Sequence, residues 1–156
     1  MSYAFTKTDR APQPALIISR RVSRSQIAAA IGEALPRIAQ FAGENGIALA
    51  GHPFCRYPEM ESSPMTIEIG FPVAGPVERP ADPEIKAVTL PGGPMAMTLH
   101  QGPYDQLPAA FDALDEWLKR EELTPDGAPW ESYINDPGAL PNPQEWKTEV
   151  WRPLSS

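Results

Sequence analysis

The same order of segments occurs twice along this chain, and that repetition constrains the fold more than any other feature. A β-branched apolar run at 15–22 predicts a strand. From Ser25 onward Ile27, Ile31, Ala34, Leu35, Ile38, Phe41 and Ala42 recur at spacings of three and four, and Asn45-Gly46 follows as a left-handed stop. An amphipathic helix is predicted there, with Pro36 inside it expected to kink or break the rod. Strand segments at 47–57 and 65–73 come next, separated by the turn-rich 58–64. After a proline-rich connector at 72–83, the pattern resumes with strands at 85–90 and 95–100. A second helix, opened by Asp105 as N-cap, carries Leu107, Phe111, Leu114, Trp117 and Leu118 on one face. Strands at 129–135 and 146–154 complete the chain around a turn at 136–143.

Strand, helix, strand, strand, given twice, predicts an α+β domain built as a tandem βαββ duplication. Its pseudo-repeats are 15–73 and 84–154 within a single domain at 15–154, and residues 1–14 form a flexible, polar lead-in. The closing strands align, with Glu68 over Glu149 and Pro72 over Pro153. Two such halves give an antiparallel twisted sheet with both helices on one face and a ligand cleft on the other, at the pseudo-two-fold.

Composition narrows the function. Thirteen Lys and Arg against 20 Asp and Glu leave a net charge of −7. A surface of that sign argues against nucleic acid and favours a neutral or cationic partner. A lone cysteine, Cys55, permits no internal disulfide and reads as a small buried hydrophobe, and no His/Cys spacing suggests a metal site. No cofactor is implied. Without a signal-type apolar segment or a membrane-length apolar run, the expected location is the cytoplasm and no membrane partner is expected. His52 and His100 adjoin no nucleophile motif. The turn Leu90-Pro91-Gly92-Gly93 lacks the lysine and helix of a phosphate loop.

An ordered set of short motifs carries a family resemblance. They are Gly51-His52-Pro53-Phe54-Cys55-Arg56-Tyr57, the run 67–73, the turn 90–93, His100-Gln101-Gly102-Pro103-Tyr104, Trp117-Leu118, Trp130-Glu131-Ser132-Tyr133 with Asp136-Pro137, and Thr148-Glu149 with Pro153-Leu154. Together, over roughly residues 14–154, they resemble the GyrI-like small-molecule-binding domains, relatives of the effector-binding domains of multidrug-responsive transcription activators. The resemblance implies a tandem βαββ fold around a ligand cleft and one of two activities. Some members bind bulky, often cationic aromatic compounds; others are hydrolases that open strained cyclopropane-type electrophiles. No helix-turn-helix fits before Ala15, so a stand-alone binding module is expected rather than a transcription factor acting alone.

Glu149 matches the acidic position of the family's last strand. Alternation places it with Lys147 and Trp151, opposite Trp146, Thr148 and Val150. A partly desolvated carboxylate there would pair with a ligand cation or serve in proton transfer. Tyr104, aimed by Pro103, is its candidate partner as donor or general acid. Glu68 is the first-half counterpart, with small neighbours Thr66 and Gly70 leaving space beside it. Trp130, Tyr133, Tyr57, Phe54 and Trp151 are the candidate walls, since flat rings stack on planar ligands and attract cations. Alternation allows only one of Trp130 and Tyr133 to face the cleft.

The leading expectation is thus a cleft holding an apolar or aromatic, in some cases cationic, small molecule. The alternatives are a cofactor-free hydrolase using Glu149 and Tyr104, and an acidic protein-interaction or inhibitor module. A partner protein or a homodimer remains open.

Overall fold

The computed structural model describes residues 3–59, 64–77, 82–135 and 140–155. Asp136-Pro137 and parts of the 58–64, 72–83 and 136–143 segments lie outside them. In chain order the elements are β1 (Phe5–Arg10), β2 (Gln13–Val22), α1 (Ile27–Glu44), β3 (Phe54–Arg56), β4 (Met65–Pro72), β5 (Ile85–Leu90), β6 (Gly93–Gln101), α2 (Leu107–Arg120), β7 (Trp130–Tyr133) and β8 (Lys147–Pro153). Every strand pairing given below is antiparallel, and the class is α+β.

The chain divides into two compact units, Ala11–Gly92 and Met1–Arg10 with Gly93–Ser156. In the first, strands run in the order β5-β2-β4-β3. Arg20, level with Ile67, reaches Glu33 of α1, so Leu16, Ile18, Ile67 and Ile69 lie on the helix side and are fully buried. Ala34, Ile38 and Ala42 form the buried stripe of α1. Arg37 of α1 grips Asp82 with two bonds of 2.8 Å and Glu84 with one of 2.6 Å, and Arg20 also reaches Glu84. In the second unit the order is β1-β6-β8-β7. Here α2 buries Leu107, Ala110, Phe111, Leu114 and Leu118. In both units the order is an outer strand, the strand before the helix, the second strand after the helix, then the short first strand after the helix.

Several sequence expectations are corrected. Residues 5–10, assigned to a loose lead-in, form β1 along β6, and residue 13 already lies in β2. The polar stretch Thr6-Lys7-Thr8-Asp9 hides this strand from any pattern, and only the β6 edge, far along the chain, organises it. Segment 85–90, assigned to the second pseudo-repeat, pairs with β2 and belongs to the first unit. Of the kink or break expected at Pro36, the break does not occur, since α1 runs through it as one helix. Gly32, whose carbonyl loses its partner to Pro36, is exposed, so water can take up the orphan. Asp105 is not the N-cap of α2; it sits in a tight turn at Tyr104–Gln106 that leads into the helix at Leu107. Strand 47–57 shrinks to β3 and one bridge, Leu49 to Val73, because Gly51 and Pro53 interrupt the ladder. Trp117, read as core, is only partly covered and stacks on Phe5 at 5.3 Å.

Candidate functional site

Residues directly opposite one another in an antiparallel ladder point to the same face. The ladder of the second unit places Phe5, Thr98, Val150 and Glu131 level with one another. Since Phe5 stacks on Trp117 of α2, this is the helix face. Glu131 and Tyr133, two residues apart, therefore both lie on it. Glu149, level with Leu99 and Ser132, and Trp151, level with Met97 and Trp130, lie on the opposite face.

Within this unit the candidate residues thus divide between the two faces of the sheet, and Glu149 and Tyr104 are not brought together. On the helix face, Gly102 adopts φ 134°, a conformation that favours glycine, and Pro103 then leads into the turn carrying Tyr104. The Tyr104 ring lies 5.5 Å from the Tyr133 ring and 4.8 Å from that of Trp146, centre to centre. Trp146 is fixed by its indole N–H, which donates to the Leu140 carbonyl at 2.7 Å. Within this wall the Tyr133 hydroxyl donates to Oε2 of Glu131 at 2.6 Å. That length is typical of a charge-assisted O–H···O⁻ bond. Glu131 is only 6% exposed and Tyr133 8%, so the bond is shielded from solvent.

His100 lies in the same layer but has a structural task. Its Nε2–H donates to the Pro103 carbonyl at 3.1 Å, and its Nδ1 meets the Tyr3 hydroxyl at 3.1 Å. Both ring nitrogens are engaged, one on the 102–104 turn and the other on Tyr3, just ahead of β1. Burial pushes the Tyr3 phenol above its ordinary pKa.

On the opposite face Glu149 accepts a hydrogen bond from the Trp151 indole at 3.2 Å, and the Trp130 and Trp151 rings stack 22° apart in plane, 6.4 Å between centres. Above them lies a residue with no signal in the sequence reading. The Arg10 guanidinium carbon stands 4.4 Å from the centre of the Trp151 ring and 5.7 Å from that of Trp130. Burial lowers the pKa of Arg10, and the charge of Glu149 opposes that shift.

In the first unit Glu68 occupies the place on β4 that Glu149 holds on β8, level with Ser19 and Arg56. Arg56 donates to it at 2.8 Å, so this carboxylate is already matched by a cation. On its Gly70 side there is no open space, because a Cβ there would run into the Leu16 carbonyl oxygen. Phe54, across from Gly70, and Tyr57, just past β3, are buried. Cys55 is buried and His52 is exposed.

Glu131 is the residue that sequence reasoning missed. Its signal was present in Trp130-Glu131-Ser132-Tyr133, where alternation puts the Glu131 carboxylate and the Tyr133 phenol on one face and Trp130 on the other.

Residues 4–155 match the GyrI-like small molecule binding domain, and the chain belongs to that family. No curated protein sequence is detectably similar to it. The C-terminal domain of EcmrR shares the fold with a TM-score of 0.84 at 23% identity, covering 100% of this chain and 99% of that one. In an EcmrR–DNA complex the match covers 99% of this chain but 58% of the longer EcmrR chain, with a TM-score of 0.85 at 22% identity. SAV2435, solved bound to tetraphenylphosphonium, matches with a TM-score of 0.64 at 15% identity over 98% of this chain and 94% of its own. A Listeria innocua protein described as a hydrolase matches at 0.64 and 13% identity, over 97% and 91%. Among the described residues, no helix is long and apolar enough to cross a membrane.

Proposed function

We propose that the chain binds an aromatic, cationic small molecule against the helix face of the β1-β6-β8-β7 sheet, with Glu131 as the charge partner and Tyr104 and Tyr133 as walls. The observation that carries this reading is the buried carboxylate of Glu131, oriented by Tyr133 inside a cluster of aromatic rings. A buried carboxylate attracts a cation far more strongly than an exposed one, because solvent does not screen it. Ring faces add cation–π attraction and stacking area. A neighbour of the same fold was solved with tetraphenylphosphonium, a ligand of that chemistry, which makes it the natural first probe.

Calorimetric titration with tetraphenylphosphonium and with neutral triphenylphosphine oxide tests the assignment. Glu131→Gln keeps the shape and removes the charge, so the cation should lose about 10- to 100-fold in affinity and the neutral compound little. Equal losses for both compounds, or none for the cation, would refute the role of Glu131.

A second reading, hydrolysis at the same place, is favoured by the Tyr133–Glu131 hydrogen bond, which joins a phenol to a carboxylate in the manner of an acid–base pair. The dyad is then Glu131 with Tyr133, since Glu149 faces away from Tyr104. Product mass spectrometry after incubation with strained cyclopropane-type electrophiles separates turnover from binding alone.

A further inference from the structure

We propose that Glu149, Trp151 and Trp130 form a second small-molecule site, for planar cations of the guanidinium or amidinium type, and that Arg10 occupies it as a tethered stand-in. This site is on the opposite face of the sheet from Glu131 and stands independently of the reading above.

The two indoles and the carboxylate make a cage for a flat cation. Trp151 offers its ring face at 4.4 Å to a guanidinium that also lies 5.7 Å from the Trp130 ring. The indole N–H of Trp151 is turned toward Glu149, which fixes the ring and leaves the remaining carboxylate lone pairs for donors. Arg10 shows that the cage accepts a planar cation, and it also shows how loosely that cation is held. Among the described residues no carboxylate lies within 4.0 Å of its guanidinium, whereas Arg37 grips two carboxylates at 2.6–2.8 Å. Burial works against the charge on Arg10, with Glu149 as the opposing influence. Its backbone position favours release as well: Arg10 is the last residue of β1, level with Gly93, and Ala11 and Pro12 beyond it are outside the ladder. Both Arg10 and Glu149 are partly exposed, so a solute can reach the cation it must replace.

The chain therefore competes with its own ligand, and removal of the competitor should reveal the site. Benzamidinium titrations followed by tryptophan fluorescence should show Arg10→Ala binding about 3- to 30-fold tighter than the unaltered chain, the range expected for loss of one cation–π competitor. Adding Glu149→Gln to Arg10→Ala should abolish the gain, and Glu131→Gln should leave it intact. Arg10→Ala binding no better, or Glu149→Gln without effect on its affinity, would overturn the proposal. Should Arg10→Ala fail to fold, the unaltered chain supplies the test through the Arg10 Nε–H resonance. Saturating benzamidinium should move that resonance to the position of a solvated arginine; a resonance that stays in place would equally overturn it.

Discussion

Replacing Tyr133 with Phe deletes one hydroxyl and almost no volume, so it isolates the bond to Glu131 from the packing around it. The bond is 2.6 Å long, and both partners are less than a tenth exposed. Hydrogen bonds to charged groups contribute about 1.5–3 kcal/mol, and burial puts this one in the upper part of that range because the carboxylate loses a donor that water cannot readily replace. For a chain of this length, that loss should lower the thermal midpoint by about 3–12 °C. Urea denaturation followed by tryptophan fluorescence should show the midpoint falling with an unchanged m-value, since the surface exposed on unfolding is the same. In a double-mutant cycle with Glu131→Gln, the cost of removing the hydroxyl should shrink, because an amide accepts more weakly than a carboxylate. An unfolding free energy within about 0.3 kcal/mol of the unaltered chain, or costs that simply add, would refute the claim that this bond holds the carboxylate in place.

Truncating Leu114, which is 1% exposed on the buried stripe of α2, should cost about 2–5 kcal/mol in the same urea assay while circular dichroism keeps its shape. Gly70→Ala should cost about 1–3 kcal/mol by the same measure, because the obstacle is the Leu16 backbone carbonyl rather than a side chain that can turn away. Arg37→Ala should lower stability at neutral pH and flatten its fall in acid. Hydrogen bonds from Arg37 hold the Asp82 and Glu84 carboxyls below their ordinary values of 3.8 and 4.5, so their contribution is present above that range. It is lost as pH falls through the depressed values of the folded state. Urea midpoints of the two proteins should therefore differ modestly at pH 7 and converge by about pH 2; a gap that persists in acid would place the effect of Arg37 elsewhere.

How much of this was legible in the sequence depended on whether the deciding interaction was local. The helices were, because the spacing of Ile31, Ala34, Ile38 and Ala42, and of Phe111, Leu114 and Leu118, is set within a few turns. Central strands were as well: Ile67 and Ile69 alternate with Thr66 and Glu68 as a half-covered strand requires. What depends on distant partners was hidden. Phe5–Arg10 has the composition of a loop and becomes a strand only against β6, and with that strand Arg10 arrives over the two tryptophans. Glu149 and Tyr104 were joined in sequence reasoning because each was individually a reasonable acid–base group. Which face each occupies follows from a register that no single segment encodes, and the same register lifts Glu131 from a residue inside a motif to the carboxylate beside Tyr133.

The pairing of β1 with β6 also bears on how the molecule is assembled. The unit Ala11–Gly92 is continuous along the chain and can close as soon as it leaves the ribosome. The strand Phe5–Arg10 is made earlier but has nothing to pair with until Gly93–Gln101 emerges, after that entire unit. Closing so long a loop adds entropy cost and slows the step relative to pairing between chain neighbours. Until that pairing forms, the β1 edge is open to other chains. The two threonines, lysine and aspartate between Phe5 and Arg10 make this waiting segment a poor template for aggregation.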